Sequence, residues 1–220
     1  MEVGILGGTG PAGSGLAARL AAAGLHVAIG SRSKDRAQEV VTALLERWPG
    51  RELALSAADN ALAAAADVVV IATPWEAAAA TAGSVAAELD GKVVISMANA
   101  LTRMGHEFEP LVPPRGSVAA HVQSAVPNSL VAAAFQHLPA KALKNLDQPV
   151  ESDVLIASDH PAAYEATAHL VSLIPDLRPL NAGSVANAAP IEAFTAVLLQ
   201  LNVRYKTRAA LRLTGIDLSK

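Results

Sequence analysis

A glycine-rich segment near the start of the chain has the residue types and spacing of a turn that binds phosphate. It consists of Gly7-Gly8-Thr9-Gly10-Pro11-Ala12-Gly13, between an apolar run and an Ala/Leu-rich run of helical spacing. In a dinucleotide-binding turn, Gly8 allows a sharp turn, Gly10 lets the backbone approach a pyrophosphate, and Gly13 lets the helix pack closely on the strand. Pro11 suits the first helical turn, whose free N–H groups and dipole attract phosphate. The segment therefore predicts a bound dinucleotide.

The residues after the second predicted strand indicate which dinucleotide binds. Where an NAD site carries Asp or Glu for the ribose 2′-hydroxyl, this chain has Ser31-Arg32-Ser33-Lys34-Asp35-Arg36. A guanidinium plane, a hydroxyl and further cations suit a 2′-phosphate, which a carboxylate would repel. The alternative is a solvated loop capped by Ser33 at the start of the next helix. We favour NADP over NAD, and Asp35 fits a first-turn helix residue that faces the dipole.

The elements that must position these residues are predicted from hydrophobic periodicity. Short apolar runs alternate with helical patterns through about residue 145, which indicates parallel βαβ units. Strands are predicted at 2–6, 26–30, 54–56, 68–72, 92–96 and 118–122, and helices at 11–23, 34–47, 60–66, 75–89 and 128–135. The proline-containing stretch that ends at residue 116 is predicted to be a loop or lid.

The predicted fold class is α/β, a Rossmann doubly wound parallel sheet with a small α-rich C-terminal domain. Residues 1–145 form the predicted NADP-binding domain and residues 146–220 the C-terminal domain, with strands at 153–157 and 177–181 and helices at 161–173 and 188–206. In open α/β sheets, ligands bind outside the carboxyl ends of the strands. Because the segment from Thr73 to Ala77 and Asn99 follow the fourth and fifth predicted strands, we expect them along the cofactor.

The composition restricts the possible functions. A net charge of −3 and an aromatic content of 3% give no basis for nucleic-acid binding. The chain has no cysteine, which excludes thiolate chemistry and cysteine metal sites, and we predict no metal site. Asp67, Pro74 and Glu192 interrupt the apolar runs before any reaches the length of a membrane span. The first strand starts too early for a signal peptide, so we expect a cytoplasmic protein.

Five segments and the terminal helix together resemble the NADPH-dependent coenzyme F420 reductase family (F420H2:NADP oxidoreductases). The segments are GGTGPAG, GSRS, ATPWEAA, HLPA and LRPLNAG, and the resemblance spans nearly the whole chain. It implies direct hydride transfer between C4 of the nicotinamide of NADP(H) and C5 of the deazaflavin ring of F420. Such chemistry belongs to the two cofactors, so no catalytic side chain is expected. In agreement, the chain contains no HExxH or G-x-S-x-G motif.

The resemblance also implies binding residues for both cofactors. For NADP these are Thr9, Gly10, Pro11 and Ala12 at the pyrophosphate; Ser31, Arg32 and Arg36 at the 2′-phosphate; and Thr73, Ala77, Asn99 and Ala140 along the rest of the site. Arg36 stands where relatives carry lysine. Leu211, which we expect in the terminal helical stretch, matches a position that contacts F420.

One loop departs from the family's pattern. Relatives carry a histidine three residues before the proline of the HLPA loop, whereas this chain has Gln136 there and keeps only His137. A histidine near the deazaflavin could hydrogen-bond to its carbonyls or pack on its face, and Gln136 could replace only the hydrogen bond. A lone histidine is also often structural, so His137 is a candidate F420 contact with a structural role as the alternative.

The terminal helix carries two further features. Its end contains four cations without an acidic residue among them: Arg204, Lys206, Arg208 and Arg212. They could form a basic rim for the phosphate and oligoglutamate tail of F420, or a solvated face or subunit contact. An apolar stripe, together with the family resemblance, predicts a homodimer; its residues are Phe194, Val197, Leu198 and Leu201.

Two other functions stay open on the sequence alone. An NADP-dependent reductase of a small imine or keto substrate, like the pyrroline-carboxylate reductases, also begins with a glycine turn, although it needs a longer helical C-terminal part. A non-catalytic NADP-binding redox sensor would keep Ser31 and Arg32 but would need no apolar pocket for a second cofactor. A membrane metalloreductase is excluded because the sequence contains no membrane span.

Overall fold

A computed structural model describes residues 1–217 of the chain. Its strands are β1 Glu2–Leu6, β2 His26–Ser31, β3 Leu55–Asp59, β4 Val68–Ile71, β5 Val93–Ser96, β6 Leu101–Met104, β7 Glu107–Pro110, β8 Leu130–Ala133, β9 Ser152–Ser158 and β10 Leu177–Asn181. Its helices are α1 Pro11–Ala22, α2 Lys34–Arg47, α3 Asn60–Ala64, α4 Trp75–Gly83, α5 Val118–Ala125, α6 Ala140–Leu143, α7 Pro161–Ser172 and α8 Ala188–Tyr205. A short 3₁₀ turn, Val185–Asn187, precedes α8.

The main sheet has the strand order β3-β2-β1-β4-β5-β8-β9-β10. The first six strands in this order are mutually parallel, whereas β9 runs antiparallel to β8 and β10 runs parallel to β9. The order reverses between β1 and β4, so a crevice opens at the carboxyl ends of these two strands, where ligands of doubly wound sheets bind. The predicted α/β doubly wound fold is thereby confirmed.

Both faces of this sheet are covered, which explains the continuous apolar runs of its central strands. Alternate side chains of a strand point to opposite faces. Val3 and Ile5 of β1 belong to a cluster that includes Leu16 of α1, while Val69 and Ile71 of β4 belong to the cluster on the other face. Within the described chain, no helix is both long and apolar enough to cross a membrane.

Two predicted elements are wrong in type. Residues 118–122, predicted as a strand, form helix α5, and the predicted helix at 128–135 contains strand β8. The Ser117 side chain accepts a hydrogen bond from the amide of Ala120 (3.0 Å) and so starts a helix at a position where a short apolar run looks equally like a strand. β8 is covered on both faces and therefore lacks the alternation of polar and apolar residues that marks a half-exposed strand.

The predicted loop or lid before residue 116 contains a β-hairpin. β6 and β7 pair antiparallel, with Met104 opposite Glu107, so a two-residue turn joins them. Gly105, the first residue of that turn, has a φ of 62°, which glycine adopts without strain. β7 packs against α8.

The C-terminal part of the chain contributes β9 and β10 to the main sheet, and α7 packs against both strands. The domain boundary at residue 145 stays a prediction. Helix α8 ends at Tyr205, because Lys206 adopts a left-handed conformation with a φ of 50°. Leu211 therefore lies beyond the helix, which corrects its expected place in the terminal helical stretch.

Candidate functional site

The glycine turn connects β1 to α1 at the carboxyl edge of the sheet. Gly7 has a φ of 70°, so the left-handed residue of the turn is Gly7 rather than Gly8. Gly8 needs to be glycine for a different reason: a Cβ there would lie 2.9 Å from the carbonyl oxygen of Ile5. The amide of Gly8 donates to the carbonyls of Ile5 and Gly30, 3.1 Å each, and thereby holds the turn against β1 and β2.

The first turn of α1 is accessible to an anion. Gly10 is the N-cap, and no side chain of the described residues caps the helix. A Cβ at Gly10 would meet only the carbonyl oxygen of Gly7, at 3.8 Å, which leaves room for a ligand. At Gly13, in contrast, a Cβ would lie 2.9 Å from Cα of Gly8 and 3.0 Å from Cβ of Ala72, so helix and sheet touch there. The uncapped amides and the helix dipole suit a pyrophosphate.

Two exposed arginines follow β2. Ser31 is buried, and its Oγ accepts a hydrogen bond from the amide of Ser33 (3.3 Å), so its hydroxyl proton can still be donated. Ser33 caps α2 by accepting from the amide of Arg36 (3.4 Å). Arg32 and Arg36 flank this cap, and both side chains reach solvent. Their guanidinium groups and the Ser31 hydroxyl form a set of donors that suits a phosphate group.

A cavity of about 390 Å³, here called the outer cavity, brings together Arg32, Thr73 and Ala77. Asn60, at the start of α3, also lines it and was not among the expected site residues. Oγ1 of Thr73 and Oδ1 of Asn60 are buried and have no hydrogen-bond partner within residues 1–217. Buried polar atoms that face a cavity call for a polar ligand or water. The outer cavity thus extends from Thr73, which lies beside Gly7, to Arg32, whereas Ser31 and Arg36 are not part of its lining.

A second cavity of about 190 Å³, the inner cavity, brings together Ala12, Asn99, His137 and Ala140. Helix α8 closes it from the far side through Thr195 and neighbouring apolar residues. Oγ1 of Thr195 donates to Oδ1 of Asn99 (3.2 Å), and Nδ2 of Asn99 donates to the carbonyl of Gln136 (2.8 Å). These two hydrogen bonds connect α8, the end of β5 and the HLPA loop.

Two lining residues of the inner cavity, Gln136 and His137, carry buried polar atoms without a partner in the part of the chain that the structure describes. Gln136 and His137 are 5% and 3% exposed, and both amide atoms of Gln136 and Nδ1 of His137 lack a partner among the described residues. Nε2 of His137 lies 2.8 Å from the carbonyl oxygen of Asp153. A carbonyl can only accept, so Nε2 carries the proton and Nδ1 is an acceptor. Burial lowers the pKa of His137, although the carbonyl contact and the Asp153 charge oppose that shift.

A third cavity, of about 440 Å³, lies between the HLPA loop and the segment that follows α8. We call it the distal cavity; its lining includes Pro139, Ala142, Gln148, Glu151, Arg208 and Ala210. Pro139 lines the inner cavity as well, so the two cavities adjoin at this residue. Leu211 directly follows the lining residue Ala210, and its carbonyl accepts a hydrogen bond from the amide of Asp153 (2.7 Å).

The four cations near the end of the chain do not form one surface. Arg212 is ion-paired with Asp153 (3.2 Å), and Arg208 lines the distal cavity. Arg204 and Lys206 are exposed at the end of α8. Across residues 1–217, no group of three or more metal-ligating side chains is placed to hold a metal ion.

Comparisons with known proteins identify the family. The chain is 35% identical to an F420-dependent NADP reductase of Methanocaldococcus jannaschii, over 99% of this chain and 100% of that protein. It is 36% identical to the reductase of the same name from Methanothermobacter marburgensis, over 98% and 99%. The chain belongs to the F420-dependent NADP reductase family. The family model for coenzyme F420-dependent NADP oxidoreductases matches residues 2–100.

The solved structures agree with this membership. A crystal structure of a candidate F420-dependent NADP reductase from Arthrobacter sp. FB24 superposes with a TM-score of 0.75 at 25% identity, over 96% of this chain and 98% of that one. The part matched by the family model contains the glycine turn, the arginines after β2, Thr73, Ala77 and Asn99. The HLPA loop, Asp153 and Leu211 lie beyond the residues matched by the family model, in a part that the full-length relatives cover.

Sequence reasoning missed one polar residue that lines this reductase site, Asn60, and two buried carboxylates behind it, Asp153 and Glu192. Asn60 follows a strand end, a signal that could have identified it. Asp153 is fully buried and bound to Arg178 and Arg212, and neither partner is close to it in sequence. Glu192 is 4% exposed and accepts hydrogen bonds from the first amides of α5, an element that was predicted as a strand. The last two depend on tertiary contacts that no local pattern reveals.

Proposed function

We propose that the chain is an F420-dependent NADP reductase that transfers a hydride directly between NADP(H) and coenzyme F420. The observation that carries the proposal is full-length similarity to reductases of that name, since it covers both the glycine turn and the segment around Leu211. The geometry supports it, because the inner and distal cavities adjoin at Pro139. Two adjoining cavities suit two ring systems that must meet.

NADP lies along the carboxyl edge of the sheet in this proposal. Its pyrophosphate binds at the amides of Thr9 to Ala12 and its 2′-phosphate at Ser31, Arg32 and Arg36. Thr73 and Ala77 contact it in the outer cavity. The nicotinamide enters the inner cavity, where Asn99 and Ala140 contact it. Exposed guanidinium groups select NADP over NAD because only NADP offers them a 2′-phosphate.

F420 occupies the distal cavity and reaches the nicotinamide past Pro139, with Leu211 in contact. Its heterocycle has an imide edge with both carbonyl acceptors and an N–H donor. Nδ1 of His137 can accept from such an N–H, and the amide of Gln136 can both donate and accept. These unpaired buried atoms favour a ligand contact at Gln136 and His137, in addition to the structural hydrogen bond from His137 to Asp153.

The protein's part in the reaction is positioning. When both cofactors are bound, they supply the hydride donor and the hydride acceptor. The chain holds the two rings in contact, and the apolar walls of the inner cavity, including Met97, Phe135 and Leu198, keep water away from them. A hydride passes directly only between carbons in contact, so the orientation set by Asn99 and the HLPA loop determines the rate.

The test is to mix the protein with NADPH and oxidised F420 and to follow the loss of deazaflavin absorbance. We expect rapid loss with NADPH and much slower loss with NADH. Turnover of a cyclic imine without any loss of F420 absorbance would support an imine reductase instead, and binding of NADPH with no turnover of either would support a sensor. Gln136→Leu, which removes both amide atoms at similar size, should raise the KM for F420 and leave that for NADPH unchanged.

We also propose that the protein is a cytoplasmic homodimer. Phe194, Val197 and Leu201 of α8 are 38%, 49% and 37% exposed and recur at helical spacing, so one apolar face of α8 is uncovered. A second copy that packs on this face would bury it by two-fold symmetry. Sedimentation analysis should give twice the chain mass, and Val197→Glu should shift the protein to the monomer.

A further inference from the structure

Asp153 is a buried charge that the proposed reaction does not use. It lies at the start of β9 and is 0% exposed. Its carboxylate accepts hydrogen bonds from Nε and Nη2 of Arg178, at 2.6 and 2.8 Å, and from Nη1 of Arg212, at 3.2 Å. The amide of Leu213 adds a fourth, at 2.6 Å. Burial alone would raise the pKa of Asp153, but these hydrogen bonds outweigh it and hold the pKa below its usual value.

The backbone of Asp153 also makes two hydrogen bonds, one to each of two separate segments. Its amide donates to the carbonyl of Leu211 (2.7 Å), and its carbonyl accepts from Nε2 of His137 (2.8 Å). Residues 211–213 are therefore held by Asp153 through main chain and side chain, while the HLPA loop is held through His137. Nη2 of Arg178 adds a hydrogen bond to the carbonyl of Leu213 (3.0 Å).

Each of these two attachments is close in sequence to a residue that lines the distal cavity. Pro139, two residues after His137, lines one wall, and Ala210, one residue before Leu211, lines the other. Residues 207–213 have no helical or strand structure of their own. Their position therefore depends on a small number of contacts, among which those to Asp153 are prominent.

We propose that Asp153 is the positioning residue of the F420 site, which fixes both walls of the distal cavity through Arg212, Leu213 and His137. This inference rests on the proposed function, because it assumes that F420 occupies the distal cavity. It assigns Asp153 no contact with either cofactor. Loss of the contacts between Asp153 and residues 211–213 lets this segment move away from β9, so F420 loses one wall of its site, while the glycine turn and the arginines after β2 still hold the phosphates of NADP.

Arg212→Gln is the most informative variant. The Arg212 side chain is 41% exposed. Its replacement removes the ion pair between residues 211–213 and Asp153 and leaves Asp153 bonded to Arg178. Asp153→Asn leaves two guanidinium groups without their carboxylate and is the more disruptive change. Arg212→Lys keeps the charge and serves as the conservative variant. Arg115→Gln, on the loop before α5, is the control for the loss of one exposed positive charge.

The readouts are the KM values for F420 and NADPH and hydrogen–deuterium exchange of the amides of Asp153 and Leu213. We expect Arg212→Gln to raise the KM for F420 by up to about fivefold, as for the loss of one partly exposed ion pair, with less than a twofold change for NADPH. Arg212→Lys should restore part of the loss, and Arg115→Gln should resemble the wild type. Both amides should exchange faster in Arg212→Gln, whether or not F420 is present.

Two results would overturn the inference. Unchanged exchange of these two amides in Arg212→Gln would show that Asp153 does not hold residues 211–213. Faster amide exchange with an unchanged KM for F420 would show that residues 211–213 do not form a wall of the F420 site. If the wild type fails to reduce F420, the proposed function is refuted and the assignment of the distal cavity to F420 falls with it. Normal wild-type turnover beside an unaffected Arg212→Gln variant would refute the positioning role alone.

Discussion

Glu192→Gln tests how the buried carboxylate of α8 affects stability. Glu192 accepts hydrogen bonds from the amides of Val118 (2.8 Å) and Ala119 (3.2 Å) and so connects α8 to the first turn of α5. Burial raises its pKa from 4.5 to about 7, although both amide hydrogen bonds favour the charged form. Thr195, one turn further along α8, supports Asn99 in the inner cavity, so this connection also positions the site.

The sign of the effect follows from proton binding. The folded protein holds the Glu192 proton more tightly than the unfolded chain, so the unfolded chain binds fewer protons between pH 4.5 and 7. The free energy of unfolding therefore falls as the pH rises through this window. At roughly 1.36 kcal/mol per pH unit, the shift corresponds to a loss of at most about 3 to 4 kcal/mol. The side-chain amide of the variant cannot ionise, so this component disappears.

Urea unfolding, followed by tryptophan fluorescence at pH values from 5 to 8, measures the difference. We expect the stability of the wild type relative to Glu192→Gln to decrease by about 1 kcal/mol or more across this range, as the direction of the pKa shift requires. Glu165→Gln, an exposed position on α7, is the control and should follow the wild type. A difference that stays constant, or that grows with pH, would show that the folded protein binds this proton no more tightly than the unfolded chain.

Three further predictions concern the cofactor sites. Arg32→Glu should raise the KM for NADPH far more than that for NADH, since only NADPH has the 2′-phosphate; equal shifts would refute the assignment. Gly13→Val should weaken NADPH binding at least tenfold in a fluorescence titration, because its Cβ would lie 2.9 Å from Cα of Gly8 and displace the helix; unchanged binding would contradict this packing argument. Charge reversal at Arg204 and Lys206 should weaken the binding of long-tailed F420 more than that of a tail-free analogue. Equal weakening of both would exclude a contact with the tail of F420.

Much of the fold follows from local patterns in the sequence. The strand, glycine turn and helix at the start are recognisable because each element has its own signal, and β10 begins and ends at the predicted residues. The errors fall on α5 and β8, two short apolar segments. There the choice between helix and strand depends on burial on one or both sides, which a single sequence does not encode.

The candidate site also has a part that local sequence patterns indicate and a part that they do not. The residues expected to bind NADP could be chosen from the sequence because backbone amides, glycines and arginines occur at fixed distances from strand ends, and their role stays a prediction. The other part of the site depends on residues that are distant in sequence, such as Asp153 and Arg212, which only the folded chain brings together. Leu211 was expected in the terminal helical stretch, because nothing local in the sequence reveals the left-handed Lys206 at which α8 ends.

The reversed strand β9 has a consequence for where function can be located in sheets of this kind. Ala133 of β8 pairs with Ala157 of β9, so the amino-terminal half of β9 extends past the end of β8 toward the ligand edge. A parallel β9 would have placed Asp153 at the opposite edge, out of reach of His137. In a mixed sheet, the amino end of a reversed strand therefore lies at the same ligand-binding edge as the carboxyl ends of the parallel strands. Surveys of mixed sheets for ligand sites should include both.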